Sequence, residues 1–197
     1  AEKVFALSSV LFQIKDSRSY PQIATVVIAK SLLAMLLARL GSLNAIEQLK
    51  CSPALKKFLG RSLPSADTLG RVCSLMSADS IRQVNRHVYE RLKRNKALTP
   101  PWHGLMALVI DQLIGERMHF QLDAEPQMPG EGEVTAALRL LERVLKIYPR
   151  AFDVVVADAL YAKGNFFSYL IRHHKDVIVV LKENCPELSG KCKTGFR

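Results

Sequence analysis

No Cys-x-x-Cys pair occurs in this 197-residue chain. Its four cysteines, Cys51, Cys73, Cys185 and Cys192, lack the spacing of a zinc ribbon or a thioredoxin-like redox pair and read as reduced thiols. They are also too sparse for a disulfide-stapled scaffold. A membrane span is missing too. The most apolar stretch, residues 23–40, carries Lys30 at its middle and Arg39 near its end. Each charge would cost about 2.5–3.5 kcal/mol near a bilayer centre, so the stretch reads as a buried helix. The first residues show no basic segment, apolar segment and cleavage site in succession. A cytoplasmic protein with no membrane partner is the expectation. The chain opens on Ala1 rather than Met, which fits either initiator removal or a fragment. There is no internal repeat, no low-complexity tract, no Gly-x-Ser-x-Gly and no triad order, so Ser- or His-based nucleophilic catalysis has no support.

What is present is ordinary globular composition, 49% hydrophobic and 23% charged, which excludes a mostly disordered chain. The net charge of +10 is unevenly placed. Residues 1–100 hold all of it, residues 101–197 are neutral, and residues 111–160 are net −4. A basic half beside an acidic centre points to a polyanion partner, with a solvated basic bundle as the plainer alternative.

The spacing predicts helices over 23–40, 43–49, 54–59, 66–76 and 77–95, with Ser65 and Ser77 as N-caps. In the last of these, Ile81, Val84, Val88 and Leu92 make one apolar stripe. Arg82, Arg86, Arg91, Lys93, Arg94 and Lys96 occupy the rest of the circumference and form the candidate DNA-contact surface. Such a surface would position a phosphate backbone without reading bases. Thr99-Pro100-Pro101 is a stiff linker and the expected domain boundary. Beyond it the pattern changes to two apolar strand runs, 105–110 and 118–122, then a strong helix 133–148, a strand 152–157, a short helix 165–173 and a strand 176–181. Val-rich buried runs separated by helices imply an α/β layer with parallel pairing.

Two of those strands end in acids, in ALVID (Asp111) and DVVVAD (Asp158). Carboxyl ends of strands in an open α/β sheet are where ligands bind. Two carboxylates there can hold a hard divalent cation through oxygen, although Asp is also a common cap for the turn after a strand. Asp123 and Glu125, in LDAEP, either approach such a site or are strand-end polar residues leading into a turn. His119 reads as a surface or structural histidine. His173 and His174 suit a helix C-terminus, and Tyr161 and Lys163 suit a turn or a phosphate contact.

The segment LDAEPQMPGEGEVTAALRLLERVLKIYPRAFDVVVADALYAKGNFFSYL resembles the catalytic core of insertion-sequence DDE transposases of the IS-four group. The upstream segments LLARLGSLNAIEQL and LPSADTLGRV resemble the helical region before that core, so the likeness covers about residues 22–184. The resemblance implies a ribonuclease-H-like fold and Mg²⁺-dependent cutting and joining of DNA at insertion-sequence ends, with Mn²⁺ as substitute metal. It implies as partners the terminal repeats, target DNA and a second copy or an intact transposase. It makes Asp111 the first family Asp and Asp158 the second, both metal ligands and catalytic.

The chain also departs from the family. The third acid, a Glu near a Tyr-Arg-Glu signature, has no counterpart before Arg197, and Glu183 does not match it by position. Asp111 and Asp123 stand closer than the family's intervening hairpin requires. The expectation is a partial or internally deleted transposase: an α+β chain with a basic helical region at 1–98, a truncated ribonuclease-H-like α/β core at 102–184 and an irregular tail at 185–197. Its function would be DNA strand cleavage and transfer, incomplete in this chain, or that of an inactive DNA-binding or dimerising remnant.

Overall fold

The computed structural model of the chain describes residues 5–50, 52–59, 63–100, 105–110, 112–114 and 119–180. Helices combined with one small mixed sheet make it α+β. The chain divides into two compact units, residues 1–91 and 92–197. That division falls in the last turn of a helix, a few residues before the proline linker.

The first unit is helical: α1 (Leu7–Leu11), α2 (Thr25–Leu37), a 3-10 helix (Leu43–Leu49), α3 (Pro53–Leu59), α4 (Ala66–Cys73) and the start of α5 (Ala78–Arg94). The caps follow the sequence. The Ser65 hydroxyl accepts the Thr68 N–H at 3.3 Å, and the Ser77 hydroxyl accepts that of Ser80 at 3.3 Å. The C-terminal ends do not follow it. α2 stops before Gly41, because Arg39 takes the left-handed position at φ 54°, with Leu40 N–H bonded to Met35 O and Arg39 N–H to Leu36 O. α5 closes in the same way around Lys96 at φ 53°. Glycine is the usual residue there. Here each position holds a basic side chain, which the negative end of the helix dipole favours.

Ile28, Ile46 and Leu69 are fully buried at the centre of this unit's main core, with Val27, Met35, Leu59, Leu63 and Val72 around them. Gly70 lets α4 approach the 3-10 helix closely: a Cβ there would stand 3.3 Å from Leu43 Cδ1. Lys30 keeps its charge out of this core by extending over the Phe58 ring, 5.0 Å from its centroid. On α5 the buried stripe differs from the expected one. Tyr89 and Leu92 are buried and Val84 and Val88 half-buried, but Ile81 is exposed. The buried place in the first turn belongs to Ser80, whose hydroxyl accepts the Lys15 N–H and donates to Ser77 O.

The second unit holds β1 (Ala107–Val109), β2 (Gln112–Ile114), β3 (His119–Gln121), α6 (Glu133–Ile147), β4 (Val154–Ala157), a 3-10 turn (Ala159–Tyr161), α7 (Gly164–Arg172) and β5 (Asp176–Val179). The sheet order is β3-β2-β1-β4-β5. β1 pairs with β4 and β4 with β5 in parallel, as strand–helix–strand units require. β2 pairs antiparallel with both β1 and β3, so the sheet is mixed rather than all-parallel. Leu108, Leu113 and Val155 are fully buried in the sheet. α6 buries Val134, Ala136, Ala137, Leu140, Leu141, Val144 and Leu145, the heptad-like face its sequence encodes. α7 adds Phe166 and Leu170, both fully buried.

The β1–β2 hairpin is tight, with Val109 opposite Gln112. Ile110, which follows β1, has φ 50°. A β-branched residue in the left-handed region costs about 1–2 kcal/mol. Ile110→Gly is therefore expected to raise stability by about 0.5–1 kcal/mol after glycine's larger entropy loss is counted. Urea denaturation of the two proteins measures it, and a lower midpoint for the variant would show that the turn carries no such strain.

Candidate functional site

The parallel register places Val109, the last residue of β1, opposite Val156, one residue before the end of β4, so the two strands end close together at the carboxyl edge of the sheet. Asp158 lies two residues beyond Val156 and is exposed. Asp111, two residues beyond Val109 in sequence, lies outside the described residues. Asp158 also caps the 3-10 turn, with its Oδ1 accepting the Leu160 N–H at 2.9 Å. The plain capping role is thus present, and the side chain still stands at a strand end in contact with solvent.

A cleft of about 300 Å³ opens at this edge, lined among others by Ile110, Glu125, Gln127, Glu133, Leu140 and Tyr161. Tyr161 is buried, and its ring meets Phe166 at 5.2 Å between centroids. Its hydroxyl donates to Glu133 Oε1 at 2.8 Å, which ties the turn after Asp158 to the first turn of α6. A carboxylate at that position is favoured by the helix dipole. The sequence marked Tyr161 as a turn residue or a phosphate contact, and it did not single out Glu133.

Asp123 and Glu125 do not face an open metal position. Arg143 donates through Nε to Asp123 Oδ2 and pairs through Nη1 with Glu125 Oε2 at 2.7 Å. Arg139 binds Glu125 Oε1 at 2.5 Å and Glu131 through both carboxylate oxygens. The Arg139 guanidinium holds the Glu125 and Glu131 carboxyls below the ordinary carboxylate range. This pairing is therefore fully present above the ordinary carboxylate pKa and fades only as acid protonates the two groups. Among the described residues, no three of His, Cys, Asp and Glu converge as a metal group. The sequence signal for these arginines was available: an i,i+4 pair on α6 following three acids in the preceding loop.

The other candidates are dispersed. His119 is exposed on edge strand β3. His173 stacks on Tyr169 at 4.7 Å just past α7, and His174 takes a left-handed helix-end position. Lys163 stands at the N-cap position of α7. Glu183 and the expected 185–197 tail lie outside the described residues. On α5, Arg86, Lys93, Arg94 and Lys96 are exposed. Arg82 and Arg91 are half-buried, and Arg82 is paired with Asp79 at 2.9 Å. Among the described residues, no helix is long and apolar enough to cross a membrane. Comparison of the chain with protein-family models, curated proteins and solved structures gave no match.

Proposed function

We propose that the chain derives from a DNA transposase of the insertion-sequence DDE type, with a ribonuclease-H-like core in its second unit. The parent reaction is metal-dependent strand cleavage and strand transfer at insertion-sequence ends. The observation that carries this reading is the parallel β1–β4 register, which brings within one residue of each other the ends of the two strands whose sequences run into Asp111 and Asp158. Ligand sites form at such strand ends. An exposed carboxylate is a hard oxygen donor suited to Mg²⁺ or Mn²⁺, and Asp158 with Asp111 would hold it. A cation held by these residues would supply a lowered pKa for a water or 3′-hydroxyl and charge stabilisation for the leaving oxygen. Asp158 additionally fixes its own backbone turn, and Tyr161 anchors that turn on α6.

A second reading has its own support. Asp123, Glu125 and Glu131 are engaged by arginines, and no group of three His, Cys, Asp or Glu that could hold a metal occurs among the described residues. Under it the chain is an inactive DNA-binding or dimerising remnant, able to interfere with an intact transposase. Incubation of supercoiled plasmid with Mg²⁺ or Mn²⁺ separates the two. Metal-dependent nicking lost in Asp158→Asn supports the enzyme. Salt-sensitive binding without nicking supports the remnant.

Both readings use the exposed basic end of α5. Each phosphate neutralised on duplex DNA steepens the dependence of log K on log salt by about 0.9. Replacing Arg86, Lys93, Arg94 and Lys96 together with Gln is expected to flatten that slope by about 3–4 units and to weaken all sequences alike. Fluorescence anisotropy from 50 to 200 mM salt reads it. An unchanged slope would remove this surface from DNA contact.

A further inference from the structure

We infer that residues 122–132 form a strap whose closed position is set by Arg139 and Arg143, and that this strap controls access to the cleft lined by Glu133 and Tyr161. The strap joins β3 to α6 and contains Pro126, Pro129 and Gly130, the last at φ 77°. Its first residues are anchored by burial: Leu122 and Asp123 are 1% and 8% exposed. Beyond Glu125 that anchor ends. Residues 126–130 are all exposed, and Met128 points 55% of its surface to solvent. What spans the gap is polar. Arg143 takes Asp123, Glu125 and the Ala124 carbonyl. Arg139, one turn earlier on α6, takes Glu125, both oxygens of Glu131 and the Pro126 carbonyl. Glu125 is shared by the two guanidiniums, and Glu131 Oε2 also accepts the Met128 N–H at 2.9 Å.

A segment held by few apolar contacts opens locally at lower cost than the core beneath it. α6 is that core: Leu141, Val144 and Leu145 are all buried on its other side. The strap and α6 therefore differ in what holds them, one by guanidinium–carboxylate pairs and the other by apolar burial. Ala124, Glu125 and Gln127 of the strap face Glu133, Ala136 and Leu140 of α6 across the cleft. Release of the arginine contacts takes away one wall of the cleft and leaves the other in place.

Hydrogen exchange followed by mass spectrometry on the whole chain tests the holding role. In Arg139→Gln, amides of residues 124–131 are expected to exchange about tenfold faster or more, while those of 140–145 keep their rate. Access is read in an Ala136→Cys background by peptide-resolved thiol labelling, with labelling at 136 expected to speed up about tenfold on adding Arg139→Gln. Unchanged strap exchange, or faster exchange without faster labelling, overturns the inference. If Arg139→Gln loosens the whole unit, Glu131→Gln decides. It keeps the Arg139–Glu125 and Arg143 pairs and is expected to free residues 126–131 alone; unchanged exchange there likewise overturns it.

Discussion

Phe166→Ala is expected to destabilise the second unit by about 3–5 kcal/mol. The ring is wholly buried at the start of α7, against Tyr161 on one side and among the buried residues of the sheet and helix layer. Truncation loses the transfer energy of the ring and leaves a cavity that the surroundings refill only partly. The loss also reaches the candidate site. Phe166 supports Tyr161, and Tyr161 holds Glu133 and the turn after Asp158. Phe166→Leu keeps most of the volume and is expected to cost less, about 1–1.5 kcal/mol. Urea denaturation followed by circular dichroism ranks the three proteins. Equal midpoints for wild type and Phe166→Ala would show that this ring is not part of the core that positions the site. The division of the chain makes a further check possible, because a probe in residues 1–91 is expected to report a smaller change than one in residues 92–197.

The helices and parallel strands were legible because their signals are local and periodic. α6 repeats apolar residues at three- and four-residue spacing over its whole length, and β4 is a run of valines between polar residues. Ser65 and Ser77 could be read as caps from side-chain chemistry alone. The misses have physical causes too. β2 is three residues long, too short for alternation to stand out, and its antiparallel place depends on a turn at Ile110 that no glycine or asparagine announces. α2 and α5 end on Arg39 and Lys96, so the glycine signal for a helix end pointed elsewhere or was missing. Ile81 matched the apolar period of α5 yet lies exposed, because Ser80 fills the buried place through hydrogen bonds that periodicity does not register. At the site, Asp158 was legible as a strand-end acid. The roles of Asp123 and Glu125 were not, since they depend on Arg139 and Arg143, which stand 14 and 20 residues further along in the pairs they make.

Asp158→Asn and Asp158→Ala are expected to separate the capping role of this side chain from the metal-ligand role proposed for it. As a cap, Asp158 accepts the Leu160 N–H, and an Asn oxygen can accept the same bond. Stability should therefore change little in Asp158→Asn and fall by about 1 kcal/mol in Asp158→Ala. As the proposed metal ligand, the residue would contribute negative charge and an oxygen donor, and neither replacement restores the charge. A metal-assisted step rests on several kcal/mol of charge stabilisation, so nicking should drop by about a thousandfold in both variants. The two measurements then group the proteins differently: stability sets Asp158→Ala apart, and nicking sets both variants apart from the wild type. If capping were the only role, nicking, where present, would follow stability and survive in Asp158→Asn. If the carboxylate holds the cation, Asp158→Asn is folded and inactive. Asp111→Asn adds the complementary case: the same loss of nicking is expected there if the ends of β1 and β4 supply one shared site. A variant that still nicks at the wild-type rate would take Asp111 out of the chemistry and leave the proposal without its second ligand.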